Sequence, residues 1–307
     1  MVELGRESFS KILDEKPASL VGRQKELEVL IAVLLSGEHI LLEGPPGTSK
    51  STLLRYVTDK LHLPLFQIEG SADLTPAKLI GTFNPNLVLE DGFKPEFFEP
   101  GPLFKAMQEG GVFYIDELNR AAPDATNALI RSIEEAELVI PRYGTVKAQS
   151  SFRVVAAMNP FDDTGVTRIS RALFDRLCRI KMQYQTLEEE TEIVRHNMKS
   201  ERPNAIIEIG TKIARATRFD DRLRQGSSVR GAIDFTNIAP NLAIIRGGYS
   251  SQTLLDAALA AFTGKIWLEN PNLEEENIIL ELVEQVLRGL DQSFFDELNM
   301  DLDKKKD

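Results

Sequence analysis

The run Ile40-Leu41-Leu42-Glu43-Gly44-Pro45-Pro46-Gly47-Thr48-Ser49-Lys50-Ser51 constrains this chain more than any other part of its 307 residues. A short apolar strand enters a Gly/Pro-rich loop, and helical periodicity begins at once on Leu53, Leu54, Val57 and Leu61. Strand, loop and helix in this order aim consecutive backbone N–H groups and a helix N-terminus at one point, where phosphate is the natural ligand. Lys50 can reach terminal phosphates, and the Ser51 hydroxyl can ligate magnesium. Ser49 stands where the phosphate-loop pattern has its last Gly. The immediate periodicity predicts helix-like φ/ψ at residue 49, a conformation in which a small side chain is tolerated.

The second half of the chemistry is Gly111-Val112-Phe113-Tyr114-Ile115-Asp116-Glu117, an apolar strand that ends in two adjacent carboxylates. In a phosphate-cleaving site the first can hold the magnesium shell, and the second can orient and deprotonate water. Both motifs fall at the carboxyl ends of predicted parallel strands, where ligands bind in such sheets.

Further short apolar strands are expected at Leu65 to Ile68, Phe152 to Ala157 and Arg179 to Met182, and a helix from Lys25 to Leu35 precedes the first strand. This alternation predicts an α/β core over residues 1–185, a mainly parallel sheet between helices. After Gln185 strand signals disappear. Helices are expected at Leu187 to Lys199, Ala205 to Thr217, Ser228 to Ile245, Thr253 to Trp267 and Glu274 to Leu290, so residues 186–307 read as a smaller all-helical lid domain. The acidic runs Glu188-Glu189-Glu190 and Glu274-Glu275-Glu276 sit near helix starts, where the dipole favours them. The tail Asp303-Lys304-Lys305-Lys306-Asp307 is expected to fray.

A formal charge of -11 gives no global reason to hold nucleic acid, which stays a secondary hypothesis. The one cysteine, Cys178, cannot form an internal disulfide and reads as a small core residue in a reducing compartment. His39, His62 and His196 lack metal-ligand spacing. The start Val2-Glu3-Leu4-Gly5-Arg6-Glu7 has no apolar signal core, and the longest aliphatic run, Val29 to Leu35, is too short to span a membrane. A soluble cytoplasmic protein is expected.

Taken together, these motifs resemble the AAA+ ATPases and, within them, the MoxR branch. Asp116-Glu117-Leu118-Asn119-Arg120-Ala121 is similar to the branch's Asp-Glu-Ile-Asn-Arg-Ala signature, and a small residue before the P-loop Lys is common there. The resemblance implies ATP with Mg2+, cradled by Gly44, Pro45, Pro46, Gly47, Thr48, Ser49, Lys50, Ser51 and Thr52, with Ser51 and, through water, Asp116 at the metal and Glu117 as general base. Val154 to Pro160 looks like sensor 1, with Asn159 aligning water, although an Asn-Pro turn is the plainer reading. Ala172-Leu173-Phe174-Asp175-Arg176-Leu177 resembles the segment that lends an arginine to a neighbouring subunit. Arg176 is the best match and Arg171 the next, within a cluster that includes Arg168 and Arg179. Gly226-Ser227-Ser228-Val229-Arg230 looks like sensor 2. Ser227 or Ser228 is a natural N-cap that puts Arg230 in the first helical turn, unfavourable for a cation unless an anion lies near. Val21-Gly22-Arg23 matches the branch's adenine-holding segment.

Glu69, at the end of the second strand, reads as a solvated carboxylate that could also restrain Glu117. Residues 73–102 resemble the helix-2 insert, with Phe93, Phe97 and Phe98 either packed or displayed. Residues 137–147 read as a hairpin before sensor 1, turning near Tyr143-Gly144, with Arg142 and Tyr143 as candidate contacts to a client. The resemblance implies a homo-oligomer, most simply a hexameric ring, that remodels a partner protein, with a von Willebrand factor A protein as a further partner.

Overall fold

The apolar runs read from the sequence become one five-stranded sheet in the computed structural model, which describes residues 12–17, 20–161, 169–198, 200 and 202–303. In chain order, α1 (Gln24–Ser36) leads to β1 (Ile40–Glu43), and α2 (Lys50–Lys60) to β2 (Leu65–Glu69). An insert follows, made of α3 (Pro76–Ile80), β3 (Gly81–Phe83), α4 (Pro85–Asp91) and β4 (Phe98–Pro100). Then come α5 (Pro102–Glu109), β5 (Val112–Asp116), α6 (Pro123–Glu135), the hairpin β6 (Glu137–Ile140) and β7 (Gly144–Lys147), β8 (Arg153–Met158), α7 (Arg171–Phe174) and β9 (Cys178–Lys181).

The sheet runs β2-β5-β8-β1-β9, and every neighbouring pair is parallel. Burial on both faces explains why β1 and β5 are nearly unbroken apolar runs. On one face Leu41, Phe113, Ile115, Val154 and Ala156 pack with Leu103, Phe104, Met107 and Leu129. On the other side, α1 and α2 bury Leu27, Leu30, Ile31, Leu53, Leu54 and Val57. β2 is an edge strand, and its Gln67 and Glu69 are exposed.

The insert and the hairpin share one aromatic cluster. Phe98 packs on Phe83, Phe104 and Tyr143 with ring centroids 5.3, 5.3 and 4.8 Å apart, distances at which offset or edge contacts are favourable. Tyr143, expected to face a client, is instead half-buried against the core. Arg142 is exposed, with its guanidinium 3.9 Å from the Phe93 ring centroid. Leu89 on α4 stays 84% exposed.

A second unit comprises Tyr184–Asp307 together with Pro17–Gly22. Its elements are α8 (Leu187–His196), α9 (Asn204–Arg218), β10 (Leu223–Gln225), α10 (Val229–Arg246), α11 (Ser251–Phe262), β11 (Trp267–Leu268), α12 (Glu275–Leu287) and α13 (Gln292–Asp303). Phe235, Phe262, Ile206, Ile207 and Ile279 form its core. Thr186 starts α8 with a reciprocal capping box to Glu189, and Ser250 caps α11.

Two elements of this unit depart from the sequence reading. β10 and β11 make a small antiparallel pair, so α11 stops at Phe262 and Trp267 lies in a strand. α13 was not expected, although Phe295, Leu298 and Leu302, spaced i, i+3 and i+7, place one apolar face against the helical core. Glu190 lies in the first turn of α8, as expected, and is 1% exposed, pairing with Arg218 at 2.6 Å and Arg215 at 3.2 Å. Cys178 is exposed at the start of edge strand β9 and is not a core residue. No helix among the described residues is long and apolar enough to cross a membrane. Arg168, Lys199, the start at Val2 to Glu7 and the tail from Lys304 lie outside the described residues.

Candidate functional site

Parallel strands collect their carboxyl ends at one edge, and β5, β8 and β1, neighbours in the sheet, carry predicted site groups there. Register sets their level, because Leu42 pairs with Ala157, Glu43 with Met158 and Ile115 with Ala156. Gly44 and Asn159 therefore emerge at one level, with Asp116 two residues short of it on β5 and on the same face.

The loop after β1 is shaped by contacts that few residues permit. A Cβ on Gly44 would lie 2.2 Å from the Met182 carbonyl oxygen, and Gly47 has a φ of 76°. The buried Thr48 hydroxyl donates to Pro45 O at 2.8 Å and ties the loop to itself, with Pro45 buried and Pro46 half-buried. Lys50 Nζ donates to Gly44 O at 2.7 Å and to Pro45 O at 2.9 Å, which draws the ammonium over the loop. Ser51 and Thr52 follow in the first turn of α2, whose leading N–H groups have no acceptor within the helix.

Ser49 departs from expectation. Its φ of 65° and ψ of 25° are left-handed, the region that favours Gly. The periodicity misled because Ser49 O already accepts from Leu53 N at 2.8 Å, while its own dihedrals lie outside the helix. An L-residue held this way costs about 1 kcal/mol or more.

At the end of β5, Asp116 Oδ1 accepts from Glu117 N at 3.0 Å. Glu117 is also left-handed, with a φ of 49°, and opens the 3₁₀ turn Leu118–Arg120. Its carboxylate pairs with Arg120 Nη1 at 2.7 Å. Gly70 N donates to Asp116 O at 2.8 Å, and a Cβ on Gly70 would lie 2.3 Å from Glu117 O. The end of β2 is thus pressed onto the backbone of the two carboxylates. Glu69 is exposed and forms no ion pair among the described residues. Tyr114, on the same strand face as Asp116, has its pKa raised first by burial and then by the Asp116 charge.

Asn159 follows β8, and its Oδ1 accepts from Phe161 N at 3.2 Å, so the Asn-Pro turn is real. The side-chain amide NH2 is the group left to donate. Asn119 Nδ2 in turn donates to Asn159 O at 3.2 Å, joining the turn after β5 to the end of β8.

The arginines divide into tied and free. Arg176 is ion-paired with Glu134 of α6 and donates to Ala172 O at 2.5 Å. Arg179 pairs with Glu43 at 3.2 Å. Arg171, at the start of α7, is exposed and holds no ion pair among the described residues. In the helical unit Ser228 is the N-cap of α10 and accepts from Arg230 N, which leaves the Arg230 side chain exposed in the first turn. Val21 packs on the helical core, and its carbonyl accepts from Gln185 Nε2 at 3.3 Å. Gly22 has a φ of 72°, and a Cβ there would lie 2.5 Å from Glu189 Cδ.

The ammonium, helix-terminal amides, serine hydroxyl and terminal carboxylate of the first unit are the donors that a polyphosphate and a hard divalent cation require. Sequence reasoning passed over Gly70, Asn119 and Arg120. For the last two the signal was in view, one residue after Asp116-Glu117. A Gly after a strand end gave no hint of its close approach.

Residues 39–177 match the model of the AAA domain, dynein-related subfamily. A Staphylococcus epidermidis protein of uncharacterized function is 29% identical over 230 residues, 73% of this chain and 86% of that protein. The denitrification regulatory protein NirQ of Pseudomonas aeruginosa is 30% identical over 171 residues, 55% of this chain and 64% of that protein. Among solved structures, one assigned as an ATPase from Cytophaga hutchinsonii aligns with a TM-score of 0.52 at 23% identity, covering 93% of this chain and 95% of that one. A Thermotoga maritima RuvB variant aligns with a TM-score of 0.54 at 20% identity, covering 90% and 80%. At these identities the two structures speak to the fold alone.

Proposed function

We propose that this chain is an AAA+ ATPase, on the match of residues 39–177 to the AAA-domain model, and that it hydrolyses ATP and couples the reaction to mechanical work on another macromolecule. The observation that carries this reading is the grouping of the phosphate loop, Asp116-Glu117 and Asn159 at adjacent strand ends. Lys50 and the backbone N–H groups of residues 47–50 hold the β- and γ-phosphates, and Lys50 leaves its loop carbonyls to do so. Ser51 and, through water, Asp116 would hold magnesium, which would offset charge on the phosphate oxygens. Glu117 takes the proton of the attacking water, and the Asn159 amide orients that water. Val21 and Gly22 hold the base, and Arg230 offsets phosphate charge, a role that matches its exposed position at a helix start.

The proposed assembly is a homo-oligomeric ring, in which an arginine from the neighbour completes the site. Arg176 is the first candidate for that role and leaves its exposed pair with Glu134 to fill it, with Arg171 the next. A cytoplasmic location belongs to the same proposal. The partner could be of two classes. Likeness to RuvB in fold favours a nucleic-acid-dependent motor. The charge of -11 and the Asp-Glu-Leu-Asn-Arg-Ala signature favour a MoxR-type remodeller of proteins.

The test is steady-state ATPase activity of wild type, Lys50→Ala and Glu117→Gln, with and without single- and double-stranded DNA. Loss of turnover in both variants, with ADP binding kept by Glu117→Gln, is the expected result. Full activity in either variant would sink the mechanism. Several-fold stimulation by DNA that fades steeply with salt selects the motor reading.

A further inference from the structure

Arg120 faces Glu117 for a geometric reason. The turn Leu118–Arg120 is 3₁₀, with about three residues per turn, so side chains at i and i+3 eclipse one another. Arg120 N donates to Glu117 O at 2.8 Å, which closes the turn, and the guanidinium then meets the carboxylate at 2.7 Å. The left-handed φ of Glu117 bends the chain from the strand into this turn. Asn119, 3% exposed, anchors the turn from the other side through its bond to Asn159 O. Asn119 and Arg120 therefore tie the proposed base and the proposed water-orienting residue into one hydrogen-bonded unit.

From this geometry, and resting on the role proposed for Glu117, we infer that Arg120 is a positioning residue. Its guanidinium fixes the Glu117 carboxylate in the orientation from which it meets the attacking water, and it does so through Glu117 alone, without contact to nucleotide. A carboxylate at a strand end has two free side-chain torsions beyond χ1, and a partner held by a closed turn removes that freedom before substrate arrives.

The experiment is a double-mutant cycle on the full-length chain with Arg120→Ala, Glu117→Gln and both together, read by single-turnover hydrolysis. KM for ATP is measured in parallel, and affinity for a fluorescent ADP analogue is measured in EDTA. Arg120→Ala is expected to lower the rate roughly ten- to hundredfold. KM and ADP affinity should stay within about twofold, Arg120→Lys should restore part of the rate, and adding Arg120→Ala to Glu117→Gln should cost nothing more. Thermal melting checks the fold, and Arg120→Gln replaces the alanine variant if that one unfolds. Additive losses in the cycle would overturn the inference, because Arg120 would then act on its own. An unchanged or faster rate in Arg120→Ala, or weaker ADP binding with the rate intact, would overturn it equally. If Glu117→Gln by itself keeps the full rate, it is the proposed base that has failed, and the cycle separates this from failure of Arg120.

Discussion

Position 49 offers a sharp test, because the two conformations considered for it predict opposite signs for one comparison. In helix-like geometry Gly is less stable than Ala by about 0.5–1 kcal/mol, since Gly loses more backbone entropy on folding. With a φ of 65° and ψ of 25° the order reverses. Ala then carries the left-handed penalty of about 1–2 kcal/mol, and Gly carries none. After subtracting the same entropy term, Ser49→Gly should be more stable than Ser49→Ala by about 0.5–1 kcal/mol. Both variants lose the Ser49 hydroxyl, so its contacts cancel in the difference. With a urea slope of roughly 2 kcal/mol per molar, this displaces the midpoint by about 0.3–0.5 M. The assay is urea unfolding followed by hydrogen exchange at residues 44–53, which isolates the loop from the helical unit. Ser49→Val should be the least stable of the series, because a branched Cβ is least tolerated there. A Gly variant equal to or weaker than the Ala variant would show that residue 49 is helical in solution and refute the reasoning.

Three further outcomes are expected. His39 Nδ1 accepts from Val154 N at 2.9 Å, and burial, followed by the nearby Arg153 charge, lowers its pKa from 6.5 to about 4. The unfolded chain binds a proton in this window that the folded chain refuses, so stability is complete above pH 6.5 and falls by up to about 3 kcal/mol as the pH drops to 4. His39→Gln should flatten that slope in urea titrations at fixed pH values. Glu190→Ala leaves two arginines without their buried partner and should cost about 3–5 kcal/mol, measured as earlier thermal melting of the helical unit. Gly70→Ala forces a Cβ to within 2.3 Å of Glu117 O, so it should lower turnover at least tenfold while ADP affinity, read by fluorescence, holds.

How much of this was legible beforehand follows from the range of each interaction. The core strands were readable because a strand buried on both faces must be apolar throughout, as in Val112 to Ile115. The cap at Ser228 was readable because it involves only residues two apart. The handedness of Ser49 was not, since the helical stripe that follows it is satisfied whether the residue before Lys50 is left- or right-handed. Tyr143 looked like a tip residue because the Phe98 and Phe104 rings that receive it lie about 40 residues upstream. The pairing of Leu223 with Leu268 joins segments too short for an alternating pattern to register. Arg120 was visible in the signature, but its partner was not, because spacing alone does not distinguish a 3₁₀ turn from the start of a helix.

Segment 17–22 shows how chain order and domain membership can part company. Because Val21 is fastened to Gln185 and packs on the helical core, a fragment beginning at Tyr184 would lack a piece of its own interior. The helical unit cannot be excised by a single cut, and neither unit is an exchangeable cassette. A chimaera that swaps only residues after 184 would join a foreign helical unit to the original segment 17–22, and mismatched packing at Val21 and Gly22 would register as earlier thermal melting of that unit. Exchanges between homologues should therefore carry two crossover pairs, with residues 17–22 moving together with the lid.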